Sequence, residues 1–231
     1  MRKLLRLAEV TTADVPRAGR KAAVLGELIR DGFAVPDGVV LTPSPDPLTC
    51  AEVRALLDAV RGLGDGSFAV RSSGVAEDLA DRSYAGAYQT VLGVQGEKAL
   101  AEAVLGVLAS AGDTNPMAVL VQRMVPADAA GVAFTVNPVT GETEVLLNAV
   151  EGLADRLVSG EIDPDEWIVR DHSARLAYGS GAAITAAQAV EVSRVAERVA
   201  GRFGAPQDIE WAIADDELYV LQARPVTAAR W

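Results

Sequence analysis

The order of helix-like and strand-like segments is the feature of this sequence that most constrains its fold. Apolar residues recur at helical spacing in four segments, at 21–32, 51–63, 97–112 and 185–204. Short runs typical of strands lie at 37–42, 67–71, 88–94, 117–125, 129–136, 144–150, 166–171, 175–180, 208–214 and 218–225. Helices and strands mix without strict alternation, and the second half consists mostly of hairpins. We therefore expect an α+β fold of two lobes, with antiparallel sheets and packed helices.

A cluster of helix- and strand-breaking residues marks the expected boundary between the lobes. The segment SAGDTNPM, residues 110–117, contains glycine, asparagine and proline. We therefore assign residues 1–115 to an N-terminal lobe and residues 116–231 to a C-terminal lobe. The sequence shows no internal repeat.

Composition argues against several classes of function. The formal net charge of −11 over 231 residues argues against a protein that binds nucleic acid without sequence preference. The single cysteine, Cys50, cannot form an internal disulfide, and we expect it to be a small buried side chain in a reducing cytoplasm. No apolar run approaches the roughly 20 residues that span a membrane. We expect a soluble protein with no membrane or nucleic-acid partner.

Two features that often mark active sites do not do so in this sequence. The glycine-rich segment GLGDGS, residues 62–67, lacks the Gly-Lys-Ser/Thr sequence of a P-loop. One histidine, His172, and one cysteine cannot build a His-based triad or a His/Cys zinc site. We interpret the first as a helix end and turn, and His172 as an exposed turn residue.

The last two predicted strands place complementary groups on one surface. Asp208 and Glu210 share one face of the first strand, and Gln222 and Arg224 share one face of the second. A three-residue turn with positive φ at Asp216, or a bulge with the same effect on register, would place Glu210 opposite Gln222. Such a surface offers oxygen ligands to Mg²⁺ and a guanidinium to phosphate. A cross-strand ion pair on a solvated face is the alternative interpretation.

Two segments of the N-terminal half contain further groups suited to an anion. Lys21 begins a helical pattern, where amide N–H groups and a cation can bind phosphate together. Arg71 ends a buried strand and is followed by a loop rich in hydroxyl groups and glycine. Backbone N–H groups of this loop could close over a polyphosphate like a lid.

Six segments of the chain match, in order, the segments of a known family. They are GRKAAVLGEL, VPDGVVLT, AVRSSGVAEDLADRSYAGAYQTVLGV, AVLVQRMVPADAAGVAFTVNPVTG, GLADRLVSGEIDPDEWIV and PQDIEWAIADDELYVLQARPVT. These segments cover nearly half of the chain. Through them the chain resembles the nucleotide-binding domain of phosphoenolpyruvate synthase, pyruvate phosphate dikinase and rifampin phosphotransferase, a two-lobed ATP-grasp-like fold.

The resemblance implies a set of residues that contact ATP and Mg²⁺. They are Lys21, Arg71, Gly86, Thr90, Gln122, Glu210, Gln222 and Arg224. By resemblance, the three cations Lys21, Arg71 and Arg224 are the catalytic residues and neutralise the triphosphate. Glu210 and Gln222 are the implied ligands of Mg²⁺.

The resemblance also assigns parts of the site to the two lobes. The N-terminal lobe would hold Lys21 and the phosphate-gripping loop from Arg71 to Thr90, with Gly86 and Thr90 in the lid. The C-terminal lobe would hold the metal-binding hairpin and the adenine-side strand, to which Gln122 belongs.

The sequence departs from the family pattern at several positions. The glycines that usually flank the lysine are Arg20 and Ala22, and the turn glycine of the last hairpin is Asp216. The connector between Thr42 and Ser67 is shorter than usual. We find no counterpart of the family's swivelling phosphohistidine domain or of its acceptor-binding domain.

The leading hypothesis is an ATP-dependent phosphotransferase that uses Mg-ATP. In one version, separate proteins supply the phosphohistidine and acceptor sites. In the other version, the domain phosphorylates a small-molecule acceptor directly. The alternatives are an ATP-grasp ligase that acts through an acyl phosphate and a nucleotide-binding regulator without turnover.

Overall fold

The computed structural model describes residues 2–75, 89–110, 117–138, 140–153 and 163–226. The chain divides into two units, Met1–Met124 and Val125–Trp231. Helices and antiparallel strands occur in both units, so the predicted α+β class is confirmed. None of the described helices combines enough length with enough apolar character to cross a bilayer.

The described part of the first unit contains a five-stranded antiparallel sheet with the order β1-β2-β5-β3-β4. Its strands are β1 (Leu4–Arg6), β2 (Gly38–Leu41), β3 (Phe68–Gly74), β4 (Thr90–Val94) and β5 (Met117–Arg123). The helices of this unit are α1 (Val15–Arg30), α2 (Cys50–Arg61) and α3 (Glu97–Ser110), with 3-10 segments at Leu7–Glu9 and Thr12–Asp14.

Strand alternation divides the side chains of the first sheet between two faces. Val70 and Val121 belong to an apolar core that also contains residues of α2 and α3. Their neighbours Arg71 and Gln122 therefore lie on the opposite face. Helix α1 packs on that face, and the Ala18 carbonyl of α1 accepts a hydrogen bond from a β3 hydroxyl group. Candidate site residues thus lie on the face that α1 covers.

Strand β5 belongs to the first unit, although the boundary expected at residue 115 placed it in the second lobe. It pairs with β2 and β3, and the chain divides only after Met124. The loop signal at 110–117 lies between α3 and β5. A local signal of this kind marks a connection, whereas the sheet that a strand joins depends on distant backbone pairing.

Cys50 is exposed rather than buried as expected. It is the first residue of α2, and the buried residues of this helix are Leu56 and Val60. Cys50 precedes Leu56 by six positions, which places it on a different side of the helix. The N-terminal residue of an amphipathic helix can therefore lie outside the buried stripe.

The described part of the second unit contains a six-stranded antiparallel sheet with the order β11-β10-β6-β7-β8-β9. Its strands are β6 (Ala129–Phe134), β7 (Val145–Glu151), β8 (Asp165–Arg170), β9 (Ser173–Tyr178), β10 (Gln207–Ala214) and β11 (Glu217–Pro225). Helix α4 (Ala186–Phe203) packs on this sheet.

Helix α4 begins and ends where the sequence pattern predicts. Thr185 and Gln188 form a reciprocal capping box at its N-terminus, and Gly204 ends it with a φ of 66°. The buried stripe of α4 includes Val192, Ala196 and Val199. The helix covers one face of the second sheet and leaves the other face to the hairpin groups described below.

Candidate functional site

Gly19 interrupts α1, so that a second helical segment begins just before Lys21. Its φ of 77° and ψ of 165° lie outside the helical region, so the helical backbone restarts at the next residue. A Cβ atom at Gly19 would lie 2.1 Å from the carbonyl oxygen of Ser73, so only glycine fits this position. Lys21 therefore lies in a first helical turn, in agreement with the helix start predicted there.

Hydrogen bonds hold this helix start against β3. Lys21 is buried, and its Nζ donates to the carbonyl oxygen of Ser72 at 3.2 Å. The backbone N–H of Ala22 donates to the Ser73 hydroxyl at 3.2 Å, and that hydroxyl donates to the Ala18 carbonyl at 2.7 Å. The cation is thereby placed beside the strand that carries Arg71.

The remaining candidates of the first unit lie on β3, β4 and β5. Arg71 is buried and pairs directly with Thr90, which is exposed at the start of β4. Directly paired residues share a sheet face, so both lie on the α1 side. Gln122 lies on the same face opposite Ala69, and its Nε2 donates to the carbonyl oxygen of Pro36 at 3.1 Å. The first sheet thus brings together Lys21, Arg71, Thr90 and Gln122.

Two predicted site residues, Gly86 and Gln122, differ from the others in how the structure describes them. Gly86 lies outside the described residues. Gln122 belongs to the first unit and not to the second lobe, because β5 pairs within the first sheet. The adenine-side strand implied by the resemblance is therefore part of the same sheet as Arg71.

The last hairpin has a two-residue turn, so of the two predicted alternatives the three-residue turn is absent and the bulge remains. Ala214 pairs with Glu217, which leaves only Asp215 and Asp216 in the turn. Their φ values are 49° and 61°, so the positive φ expected at Asp216 is confirmed. Two successive positive φ values are typical of a type I′ turn, which matches the twist of paired strands. The Asp215 N–H also donates to the Asp128 carboxylate at 3.0 Å.

A β-bulge in β11 produces the predicted register by the other route. Trp211 pairs with Val220, whereas the preceding residue, Glu210, pairs with Gln222. Leu221 is therefore the extra residue of the bulge. Beyond the bulge, the side chains of β11 return to the face of Glu210. The predicted pairing of Glu210 with Gln222 is confirmed.

The same register pairs Asp208 with Arg224. Arg224 Nε donates to Asp208 Oδ2 at 2.8 Å, and the side chains are 46% and 10% exposed, respectively. Burial raises the pKa of Asp208, and the nearby Glu210 carboxylate adds to this increase although Arg224 lowers it. Asp208 Oδ1 is buried and has no hydrogen-bond partner within the described ranges.

This surface fits a magnesium ion that arrives with a nucleotide. Glu210 and Gln222 present carboxylate and amide oxygen atoms, and Asp208 Oδ1 is an unused acceptor on the same face. Among the described residues, no group of three or more His, Cys, Asp or Glu side chains could hold a metal ion by itself. Mg²⁺ is commonly held by one or two carboxylates together with phosphates and water. Glu210 and Gln222 are therefore compatible with a magnesium ion whose other ligands come from phosphate and water.

Sequence reasoning missed three residues that position these groups. Gly19 and Ser73 hold Lys21 in place, and Leu221 sets the register of the hairpin. The glycine two residues before Lys21 was an available signal, since glycine tolerates positive φ. A Leu in a strand carries no comparable signal of a bulge.

Comparison with known families identifies the domain. The AMP/ATP-binding domain of pyruvate phosphate dikinase matches residues 45–180 and 177–230, which is more than half of the chain. The chain belongs to this family. The resemblance drawn from the six sequence segments is therefore confirmed, and the chain is an ATP-binding domain.

Relatives of the pyruvate phosphate dikinase ATP-binding domain extend the comparison. Rifampicin phosphotransferase of Streptomyces sviceus is 36% identical, with coverage of 79% of this chain and 26% of the relative. Prodigiosin synthesizing transferase PigC of Serratia marcescens is 32% identical, with coverage of 94% and 32%. A probable phosphoenolpyruvate synthase of Methanothermobacter thermautotrophicus is 28% identical, with coverage of 95% and 45%. The chain spans less than half of the length of each.

Solved structures show the fold of this ATP-binding domain. D-alanine-D-alanine ligase from Helicobacter pylori matches with a TM-score of 0.55 at 13% identity, covering 91% of this chain and 55% of that chain. The ADP complex of purK, N5-carboxyaminoimidazole ribonucleotide synthetase, matches with a TM-score of 0.52 at 14% identity, covering 94% and 47%. At such identities the likeness shows the fold alone, and the predicted ATP-grasp-like fold is confirmed.

Proposed function

We propose that this chain is the nucleotide-binding catalytic domain of an ATP-dependent phosphotransferase. It transfers a phosphoryl group from Mg-ATP to a small-molecule acceptor or to a phosphohistidine domain supplied by a separate protein. The observation that carries the proposal is the bulged hairpin, which places Glu210, Gln222 and Arg224 on one face. The relatives named as phosphotransferases and as phosphoenolpyruvate synthase support the same chemistry. A reducing cytoplasm, suggested by the single cysteine, is the proposed location.

The residues have distinct parts in the proposed transfer. An acceptor oxygen or imidazole nitrogen attacks a phosphorus atom of ATP, the P–O bond to the departing nucleotide breaks, and its electron pair leaves with that nucleotide. Lys21, Arg71 and Arg224 stabilise the negative charge on the phosphate oxygens. Glu210 and Gln222 hold Mg²⁺, which neutralises further phosphate charge when it is bound. Thr90 and Gly86 close over the phosphates, and Gln122 lies on the adenine side.

Phosphoryl transfer suits this set because it depends mainly on positioning and charge stabilisation. Lys21 is held by hydrogen bonding to a backbone carbonyl, and Arg71 is buried in a strand. Such groups lose little freedom on binding a phosphate. A pure nucleotide sensor would not need three restrained cations together with a metal-binding pair.

Product analysis with Mg-ATP and candidate acceptors tests the proposal. Nucleotides, phosphate and pyrophosphate would be separated after incubation with phosphorylatable small molecules and with a free phosphohistidine domain. Acceptor-dependent formation of a phosphorylated product supports the proposal. Turnover that requires both a carboxylate and an amine would instead identify an ATP-grasp ligase.

Arg71→Ala serves as the inactive control in that experiment. Tight ATP binding without any nucleotide product, across all acceptors, would favour the regulator over both enzymes. Equal product formation by the wild-type protein and Arg71→Ala would remove Arg71 from the proposed site.

A further inference from the structure

We propose that Asp208 is a positioning residue that orients the Arg224 guanidinium toward the phosphates of the nucleotide. This inference rests on the proposed function and extends it to a residue that has no part in the transfer described there. Its basis is the Nε–Oδ2 contact at 2.8 Å between the two side chains on one face of the β10–β11 hairpin.

The exposure of the two partners suits this role. The Asp208 side chain is 10% exposed and therefore forms a fixed acceptor at the base of the pair, whereas 46% of the Arg224 side chain is exposed. A guanidinium has five N–H donors in one plane, so a carboxylate at Nε fixes that plane while the group can meet a phosphate from solvent. Holding the plane in advance lowers the entropy lost on binding.

A second ion pair in the same unit shows how a fully hydrogen-bonded pair is built. Arg170 Nε donates to Glu144 Oε2 at 2.8 Å, with side-chain exposures of 55% and 4%. The other Glu144 oxygen accepts from Asn137 Nδ2 at 2.7 Å, so both carboxylate oxygens are hydrogen-bonded. This pair matches the Asp208–Arg224 pair in contact distance and exposure.

The Asp208 carboxylate is less completely satisfied. Its Oδ1 is buried without a hydrogen-bond partner among the described residues, and Glu210 lies two positions away on the same strand face. Burying a half-satisfied carboxylate near another acid is unfavourable for stability. The arrangement is therefore better explained by what the pair does for a ligand than by a contribution to folding.

The bulge at Leu221 connects this pair to the metal-binding pair. Without the extra residue, Gln222 and Arg224 would both move to the opposite face of β11. One backbone feature thus places Arg224 beside Asp208 and Gln222 beside Glu210. Asp208 then sets the orientation of the Arg224 guanidinium, which this register places beside it.

Nucleotide affinity in a double-mutant cycle tests the inference. Dissociation constants for Mg-ATP and for AMP would be measured by titration calorimetry for the wild-type protein, Asp208→Ala, Arg224→Ala and the double variant. We expect Asp208→Ala to weaken Mg-ATP binding about tenfold, or about 1.4 kcal/mol, with little change for AMP. In the Arg224→Ala background, the same substitution should have almost no further effect.

Two further variants separate positioning from folding. Asp208→Asn keeps an oxygen acceptor for Arg224 Nε and should retain more Mg-ATP affinity than Asp208→Ala. If the alanine variant does not fold, the asparagine variant still tests the inference. Glu144→Ala removes the matched structural carboxylate and should leave the ratio of ATP to AMP affinity unchanged.

Each outcome decides the inference. An unchanged ratio of ATP to AMP affinity in Asp208→Ala and Asp208→Asn would overturn it. An equally large effect in the Arg224→Ala background would also overturn it, because Asp208 would then act through a contact of its own. Absence of Mg-ATP binding by the wild-type protein would instead refute the proposed function, and with it this extension.

Discussion

Two hairpins of the second unit share one backbone design. In each, a two-residue turn has both residues at positive φ: Asp171 and His172 join β8 to β9, and Asp215 and Asp216 join β10 to β11. The exposed turn position predicted for His172 is confirmed. The sequence shows no internal repeat, so this shared design is visible only in the structure.

The register of both hairpins shifts at the same Glu-Trp dipeptide. The shift lies between Glu166 and Trp167 in the first hairpin, and between Glu210 and Trp211 in the second. Pairing across the sheet places both glutamates on one face. The bulge is therefore a property of both edges of the sheet and does not by itself create a site.

The residue opposite each glutamate differs between the hairpins. Glu166 pairs with Tyr178, which is 61% exposed, whereas Glu210 pairs with Gln222, which is 5% exposed. Only the second hairpin adds a buried amide and the Arg224 guanidinium. The two hairpins thus share a backbone design and differ in the side chains that the bulge directs to this face.

Deleting Leu221 should have the largest effect on this comparison. Without the bulge residue, the register set by the two-residue turn continues and turns Gln222 and Arg224 to the opposite face. We expect Mg-ATP binding to fall below detection in titration calorimetry. Deleting Ala177, the extra residue of the β8–β9 hairpin, should leave binding near the wild-type level. Retained binding without Leu221, in a folded protein by circular dichroism, would show that register does not make the site.

Removing the arginines should reduce turnover strongly. Arg71→Ala and Arg224→Ala should each lose about 2–4 kcal/mol of transition-state stabilisation, because each is proposed to bind the transferring phosphates. The ratio kcat/KM for ATP measures this loss. Arg175→Ala, in the β8–β9 hairpin, is the control and should behave like the wild-type protein. Wild-type rates in both test variants would remove these residues from the site.

Replacing Glu210 and Glu166 one at a time should show which of the two hairpins contributes to Mg-ATP binding. Glu210→Gln should weaken Mg-ATP binding about tenfold, or about 1.4 kcal/mol, because a carboxylate ligand is lost. Glu166→Gln should leave the affinity for Mg-ATP unchanged. Calorimetry with Mg²⁺ and with EDTA gives the comparison, and the difference between Glu210→Gln and wild type should shrink in EDTA. Equal effects of both substitutions would point to general electrostatics.

Acid stability should depend on Asp165 at the start of β8. Burial alone would raise the pKa of Asp165, but hydrogen bonds from the N–H groups of Ala183, Gly181 and Ser180 outweigh it and lower the pKa. A lowered pKa means that this carboxylate stabilises the fold above about pH 3.9 and that the contribution is lost as pH falls through the folded-state pKa.

Urea unfolding between about pH 2 and pH 6 tests this sign. The free energy of unfolding of Asp165→Asn should be lower near neutral pH, and it should fall less than that of the wild-type protein on acidification. Parallel curves for the two proteins would mean that Asp165 has the same pKa in both states.

Glycine in the turns should have the smallest effect. Asp216→Gly and His172→Gly relieve a side chain at φ near 61° and create Asp-Gly turns, which favour type I′ geometry. We expect each to raise the free energy of unfolding by about 0.5 kcal/mol, with a larger gain at His172 since Asp tolerates this conformation better. Destabilisation by either substitution in urea unfolding would contradict this account of the turns.

Much of the secondary structure followed from local pattern. The segments predicted as helices at 51–63, 97–112 and 185–204 correspond to α2, α3 and α4, because apolar spacing and capping residues are encoded within each segment. The partner of β5 could not be predicted in this way. Sheet membership depends on pairing between residues far apart in the chain, so the boundary after Met124 emerged only from the structure.

For the site, local sequence pattern was enough to predict which chemical groups are present and which share a strand face. Strand alternation was enough to place Asp208 with Glu210 and Gln222 with Arg224. It could not decide how the two strands pair, because a three-residue turn and a two-residue turn with a bulge produce the same register beyond the bulge. The structure shows the second, with Leu221 as the extra residue.

The way in which these groups are held could not be predicted from local pattern. Lys21 is buried against the Ser72 carbonyl because Gly19 lets the helix start approach β3, and Asp208 is buried as well. These features depend on contacts between segments that are distant in sequence. The local sequence gives the propensity of a residue and its spacing to adjacent residues. It does not show which distant residues will contact that residue in the fold.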